Sequence, residues 1–125
     1  MTPIAEGLFE LDPDGMLTLL GGYSPSSGKY HFPRLDTCPY TGARDVEPVA
    51  LSRDATLWAW TAVTAAPPGY EGPVPYGFGI VELTKEHLRV ITRLQCADVD
   101  ALQFGQPMTL VADELPSGET TWAFA

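Results

Sequence analysis

The sequence is short of most of what single-chain chemistry requires. It has two cysteines, Cys38 and Cys96, far apart in the chain and outside any recognisable framework. In a reducing compartment both read as free thiols, with a bridge between them the alternative. The two histidines, His31 and His87, stand alone. No Ser/His/Asp order, phosphate-binding loop or paired metal-ligand motif occurs. Positive charge is scarce too: seven basic residues against sixteen acidic ones give a net charge of −9. Such a surface repels phosphate backbones and anionic lipid alike, which argues against nucleic acid and membrane as partners. All seven cations (Lys29, Arg34, Arg44, Arg53, Lys85, Arg89 and Arg93) fall between positions 29 and 93, and both ends are purely acidic. No apolar run approaches the roughly 20 residues that span a bilayer. The opening Met1-Thr2-Pro3-Ile4-Ala5-Glu6 has neither the basic region nor the apolar stretch of a signal peptide, so a cytoplasmic location is expected.

What is present suits one small β-rich domain. A chain of 125 residues that is 45% apolar can bury about two thirds of the surface its unfolded form exposes. Twelve glycines and twelve prolines argue against long helices and for short strands between turns. Asp12-Pro13-Asp14-Gly15 reads as a tight turn, followed by a short strand over 16–20 that ends at Gly21-Gly22. Residues 23–45 are too poor in aliphatics to build a core of their own. From Val46 onward five strands are expected, over 46–51, 56–64, 76–83, 88–94 and 108–112. In the second of these, alternation sets Trp58 and Trp60 on one face and Leu57, Thr61 and Val63 on the other. The prolines and glycines of 67–75 block any ladder there. Thr84-Lys85-Glu86-His87 reads as a hairpin turn, although the four-residue spacing of Lys85, Arg89 and Arg93 would also suit a helix over 82–94. Five short strands with one longer connection predict a small barrel rather than a sandwich.

Two turns in the first half share a design. Ser24-Pro25-Ser26-Ser27-Gly28 and Cys38-Pro39-Tyr40-Thr41-Gly42 each have two small residues three apart, then glycine. With cysteine at all four places this is a zinc knuckle, in which the glycine permits the turn that aims backbone N–H groups at sulfur. Here Ser24, Ser27 and Thr41 hold three of the four places and only Cys38 is a thiol. Neutral hydroxyls are poor zinc ligands, so no zinc is expected.

These residues resemble a family of small bacterial and archaeal proteins with a rubredoxin-like zinc ribbon followed by an OB-fold, long catalogued as a domain of unknown function. The resemblance rests on Gly21-Gly22-Tyr23, the two degenerate knuckles, Phe32-Pro33-Arg34, the Trp58-Ala59-Trp60-Thr61 strand, Pro68-Gly69-Tyr70, and Gly105-Gln106-Pro107-Met108, and covers roughly residues 16–115. It implies an all-β fold: a five-stranded OB barrel over 46–115, preceded over 1–45 by an acidic lead and a ribbon that has lost its metal ligands, and followed by a tail over 116–125. Tyr23, Tyr30, Phe32 and Tyr40 are expected to cluster where a metal would otherwise hold the ribbon, or simply to pack on the barrel.

Members of that family accompany thiolase-like enzymes, acyl-CoA condensing enzymes, or steroid side-chain aldolases and hydratases. The resemblance therefore implies a non-catalytic accessory subunit that docks on a thiolase-like catalytic partner and helps shape its acyl-CoA entrance. The stiff loop 67–75 is the candidate contact, with Tyr70 and Tyr76 as anchors. Trp122 and Phe124 are further anchors unless the tail folds back. If coenzyme A passes nearby, Arg53, Lys85 and Arg89 are the candidates to meet its phosphates. A single-stranded nucleic-acid module, with Trp58 and Trp60 stacking bases, is the alternative from another class. It needs a basic groove that the charge of −9 does not supply. Catalysis by Cys38 with His31, or by His87 beside Glu86, is the third reading, set against a thiol left over from a collapsed knuckle and histidines in turns.

Overall fold

A computed structural model describes residues 2–3 (backbone only), 7–69, 72, 74–96 and 98–125. The chain order is β1 Thr2–Pro3, β2 Phe9–Leu11, β3 Leu17–Ser24, β4 Lys29–His31, β5 Glu47–Ala50, β6 Asp54–Val63, β7 Tyr76–Leu83, β8 Arg89–Leu94, a 3-10 turn Val99–Ala101, β9 Pro107–Glu114 and β10 Glu119–Phe124. The protein is all-β, as expected, and falls into a barrel and a smaller ribbon.

Strands β6 to β10 close on themselves in the order β6-β7-β8-β10-β9-β6. Every neighbouring pair is antiparallel except β8–β10, which run parallel through Ala123↔Arg93 and Phe124↔Leu94. This is the five-stranded OB topology. The sequence builds it through alternation, since successive side chains of a strand point to opposite faces. Leu57, Val81, Leu83, Val90, Leu94, Leu110 and Phe124 fill the interior, each worth about 1.5–3 kcal/mol of apolar burial. The β7–β8 connection is the hairpin, not the helix: Leu83 N–H donates to Leu88 O and His87 N–H to Leu83 O, at 2.8 and 2.9 Å.

The ribbon is organised around β3, which pairs with β2, β4 and β5, all antiparallel. Gly21 and Gly22 do not end this strand. They carry it through a crowded point, where a Cβ at Gly22 would lie 2.4 Å from His31 Nε2 and one at Gly21 2.8 Å from Leu51. Ribbon and barrel share one apolar cluster, in which Phe9, Leu17, Leu19 and Leu51 meet the barrel interior.

Three expectations are corrected. Residues 46–51 do not form a barrel strand, because Leu20↔Ala50 and Tyr23↔Glu47 pair this segment with β3. The strand that closes the barrel is β10, within the segment read as a tail, where Thr120↔Glu114 through Phe124↔Leu110 form a full ladder with β9. The alternation of Trp58 and Trp60 is broken by a bulge between Leu57 and Ala59, so that Trp58 is exposed while Trp60 packs against the core.

Candidate functional site

In OB barrels, ligands meet the outer face of the second and third strands and the loops flanking it. Here those strands are β7 and β8. The inward row of β7 is Gly77, Gly79, Val81 and Leu83, which leaves Tyr76, Phe78, Ile80 and Glu82 outside. On β8, Val90, Thr92 and Leu94 point in and Arg89, Ile91 and Arg93 out. The register sets Ile80 beside Ile91, Phe78 beside Arg93 and Glu82 beside Arg89. An antiparallel sheet facing water is normally polar on that side. This one is apolar: Ile91 is 61% and Phe78 37% exposed.

Among the described residues, two concavities lie along this face. The larger, about 420 Å³, is walled by Tyr76, Phe78, Ile91, Thr92, Arg93, Leu115, Thr121 and Trp122. The smaller, about 300 Å³, is walled by Ala59, Trp60, Thr61, Phe78, Gly79, Ile80 and Ile91. Phe78 and Ile91 wall both, so the two adjoin along one grooved face, a trough across β6, β7, β8 and β10. Its cations are already engaged. Arg93 pairs with Asp113 at 3.0 Å and covers the Tyr76 ring at 4.5 Å; Arg89 pairs with Glu82 at 3.5 Å and covers Trp58 at 3.8 Å. The trough therefore offers rings and aliphatic surface rather than free positive charge.

The second candidate lies in the ribbon. The two turns share a geometry as well as a sequence design. Gly28 N–H donates to Ser24 O at 2.8 Å and Gly42 N–H to Cys38 O at 2.9 Å, and both glycines have positive φ, +68° and +76°. The turns face each other. Cys38 Sγ lies 3.5 Å from Ser27 Oγ, Ser26 Oγ is 2.8 Å from Thr41 Oγ1, and Ser26 N–H donates to Asp45 Oδ2 at 2.7 Å. Cys38 is buried, at 2% exposure. Burial pushes its thiol up, but hydrogen bonds from the Ser24, Thr41 and Ser27 hydroxyls and from the Tyr40 backbone outweigh it and bring the pKa down to about 6. The Ser26 backbone N–H holds the Asp45 carboxyl below its usual range. One thiol and three hydroxyls do not fit zinc, since a tetrahedral zinc site needs thiolate or imidazole donors at its corners.

The sequence-predicted site residues scatter. Arg53 is not an anion site: its guanidinium donates to Leu17 O and, at 2.7 Å, to Leu110 O, latching β3 to β9. Lys85 is exposed in the β7–β8 turn. Arg89 lies across Trp58. Tyr76 and Trp122 both wall the trough. Phe124 cannot anchor a partner, because it is fully buried in the barrel. Tyr70 lies outside the described residues. The four ribbon aromatics do not form one cluster. Tyr23 and Tyr30 stack at 4.9 Å, Tyr40 lies beneath Lys29 at 4.9 Å, and Phe32 turns away to Trp122 at 5.4 Å. Phe78, Ile80 and Ile91 were missed. Their signal was a β7 apolar on both parities, Tyr76, Phe78 and Ile80 against Val81 and Leu83.

Comparison with known proteins gives three findings. The family model of the ChsH2 C-terminal OB-fold domain matches residues 48–113. A DUF35 domain-containing scaffold protein of Pyrococcus furiosus is 28% identical over 97 residues, 78% of this chain and 70% of that protein. Among solved structures, an Ltp2-ChsH2(DUF35) aldolase chain superposes with a TM-score of 0.70 at 24% identity, covering 86% of this chain and 83% of that one.

Proposed function

We propose, from the premise that this chain belongs to the family of the ChsH2 C-terminal OB-fold domain, that it is a non-catalytic accessory subunit of an acyl-CoA enzyme of the thiolase superfamily or an aldolase allied to it. The observation that carries this reading is the apolar trough on the OB ligand face. Exposed rings in a concave patch are what a protein interface uses as anchors, and the arginines beside them are already paired in cis. A single-stranded nucleic-acid module would present the opposite, a basic track between stacking rings. Two similar proteins lend support by name: one is called a scaffold, and the other is a chain of an Ltp2-ChsH2(DUF35) aldolase.

In this reading Tyr76, Phe78, Ile91 and Trp122 meet the catalytic subunit. The partner holds the reacting groups. Coenzyme A passes at the interface, where Lys85, and Arg89 if it exchanges Glu82 for a phosphate, supply donors. The ribbon works without a metal ion, and the complex acts in the cytoplasm. Native mass spectrometry of the protein purified from its own cells tests the proposal. A heteromer with an acyl-CoA carbon–carbon bond-forming or -cleaving enzyme is expected, and Phe78→Asp/Ile91→Asp should weaken it at least about 30-fold, the scale of a lost hot spot. A monomer, or a heteromer indifferent to the double substitution, would refute it.

A further inference from the structure

Rings of the ribbon meet a wall of the trough at the indole of Trp122. Strands β8 and β10 are in register only at Ala123↔Arg93 and Phe124↔Leu94, and Trp122 stands beside the point where this short ladder ends. Its Nε1 donates to Ile91 O at 3.3 Å, fastening the ring to the middle of β8. One side of the indole faces the trough. Two ribbon rings approach it as well: Phe32, just after β4, edge-on at 5.4 Å and 85°, and Phe9, at the start of β2, at 6.5 Å and 64°. Both geometries place ring edges against a face, the favourable arrangement of aromatic quadrupoles. Ile91, whose carbonyl takes the indole proton, walls both concavities.

We infer that the ribbon is a buttress for the trough, with Phe32 and Phe9 as positioning residues that hold Trp122 as one wall and, through its hydrogen bond, set Ile91. The importance of that wall for docking rests on the function proposed above; the coupling itself does not. It gives the ribbon a task that needs no metal, only that β2 and β4 keep their place on β3.

The coupling is read in the full chain by NMR, from hydrogen exchange of the Trp122 indole N–H and the Ile91 methyl shifts, with Tyr23 and Ser24 amides as monitors of the β3–β4 ladder. Phe32→Leu keeps apolar bulk but removes the ring edge. It should speed indole exchange about tenfold and move the Ile91 methyls while the ladder amides hold. Phe32→Tyr should restore both signals. Unmoved Trp122 and Ile91 signals in Phe32→Leu would overturn the inference. So would unmoved signals in Phe32→Ala, even if that variant unfolds the ribbon. A second arm separates the two ideas. If Phe32→Leu moves the NMR signals and also weakens partner binding, the coupling and the docking reading both stand. If it moves the signals with partner affinity unchanged, the buttress stands and the docking face is wrong.

Discussion

Barrel and ribbon solve the problem of cohesion in opposite ways. The barrel interior is apolar and nearly sealed, from Leu57 and Val81 through Leu110 to Phe124. Its buried Thr92 hydroxyl finds a carbonyl, Arg93 O at 2.9 Å. Among the described residues, two buried side-chain polar atoms, His31 Nδ1 and Asp45 Oδ1, have no hydrogen bond, and a third, Ser24 Oγ, has only the Cys38 sulfur to turn to; all three lie in the ribbon. Such a group costs about 1–3 kcal/mol, as much as a buried leucine contributes. A segment carrying such groups, with few aliphatics, has little cohesion of its own. It leans on the barrel through Phe9, Leu17, Leu19 and Leu51 and through the Arg53 latch. The difference teaches that a small sheet with a polar interior persists when a closed barrel carries it.

The comparison breaks most visibly from the barrel side. Leu110→Ala, at a fully buried position, should cost about 3–5 kcal/mol in urea unfolding and take the ribbon down with it; a ribbon that stayed protected from exchange while the barrel unfolded would contradict the dependence. A smaller effect is expected from Arg53→Met, which removes two hydrogen bonds between a charged group and backbone carbonyls. The loss should be about 1.5–3 kcal/mol, and amides of β3 should exchange faster than those of β8. Equal acceleration in both would mean the latch serves the whole molecule rather than the joint.

A third test sharpens the ribbon side. The Cys38 thiol titrates near 6 in the folded chain against an ordinary value of 9.0. A lowered folded value means the unfolded chain binds the extra proton between them, so stability rises with pH across that window. The contribution of the thiolate is complete above about 9, fades as pH falls toward 6, and is absent below. Urea midpoints of the parent should climb from pH 6 to pH 9 more steeply than those of Cys38→Ser. Parallel curves would show that the hydroxyls around Cys38 do not hold an anion.

Strand content was legible where β-branched and aromatic residues gather between turn signals, as in β7 and β8, and the hairpin between them followed from its turn residues. What periodicity does not carry is the partner of a strand. Residues 47–50 look like any half-buried strand, and only the glycines of β3, which let a neighbouring backbone come close, draw them to the ribbon. Strand β10 was hidden because its buried Thr120 and Thr121 read as a polar tail, and that error turned the core residue Phe124 into a surface anchor. The site was half legible. Tyr76 and Trp122 were named, though for a loop and a tail, whereas Arg53 was judged by its charge alone and its guanidinium is spent on two carbonyls.

Gly79 on β7 has a consequence for how the molecule can change over generations. A side chain there would place its first carbon 2.2 Å from the Ala59 carbonyl oxygen, so drift at this position is barred by the neighbouring backbone itself. Phe78 and Ile80, one step to either side, meet no such barrier, since they point outward. One strand thus carries a frozen row and an adjustable row interleaved residue by residue. A lineage can recut the outward row to suit a new associate without renegotiating the architecture that presents it.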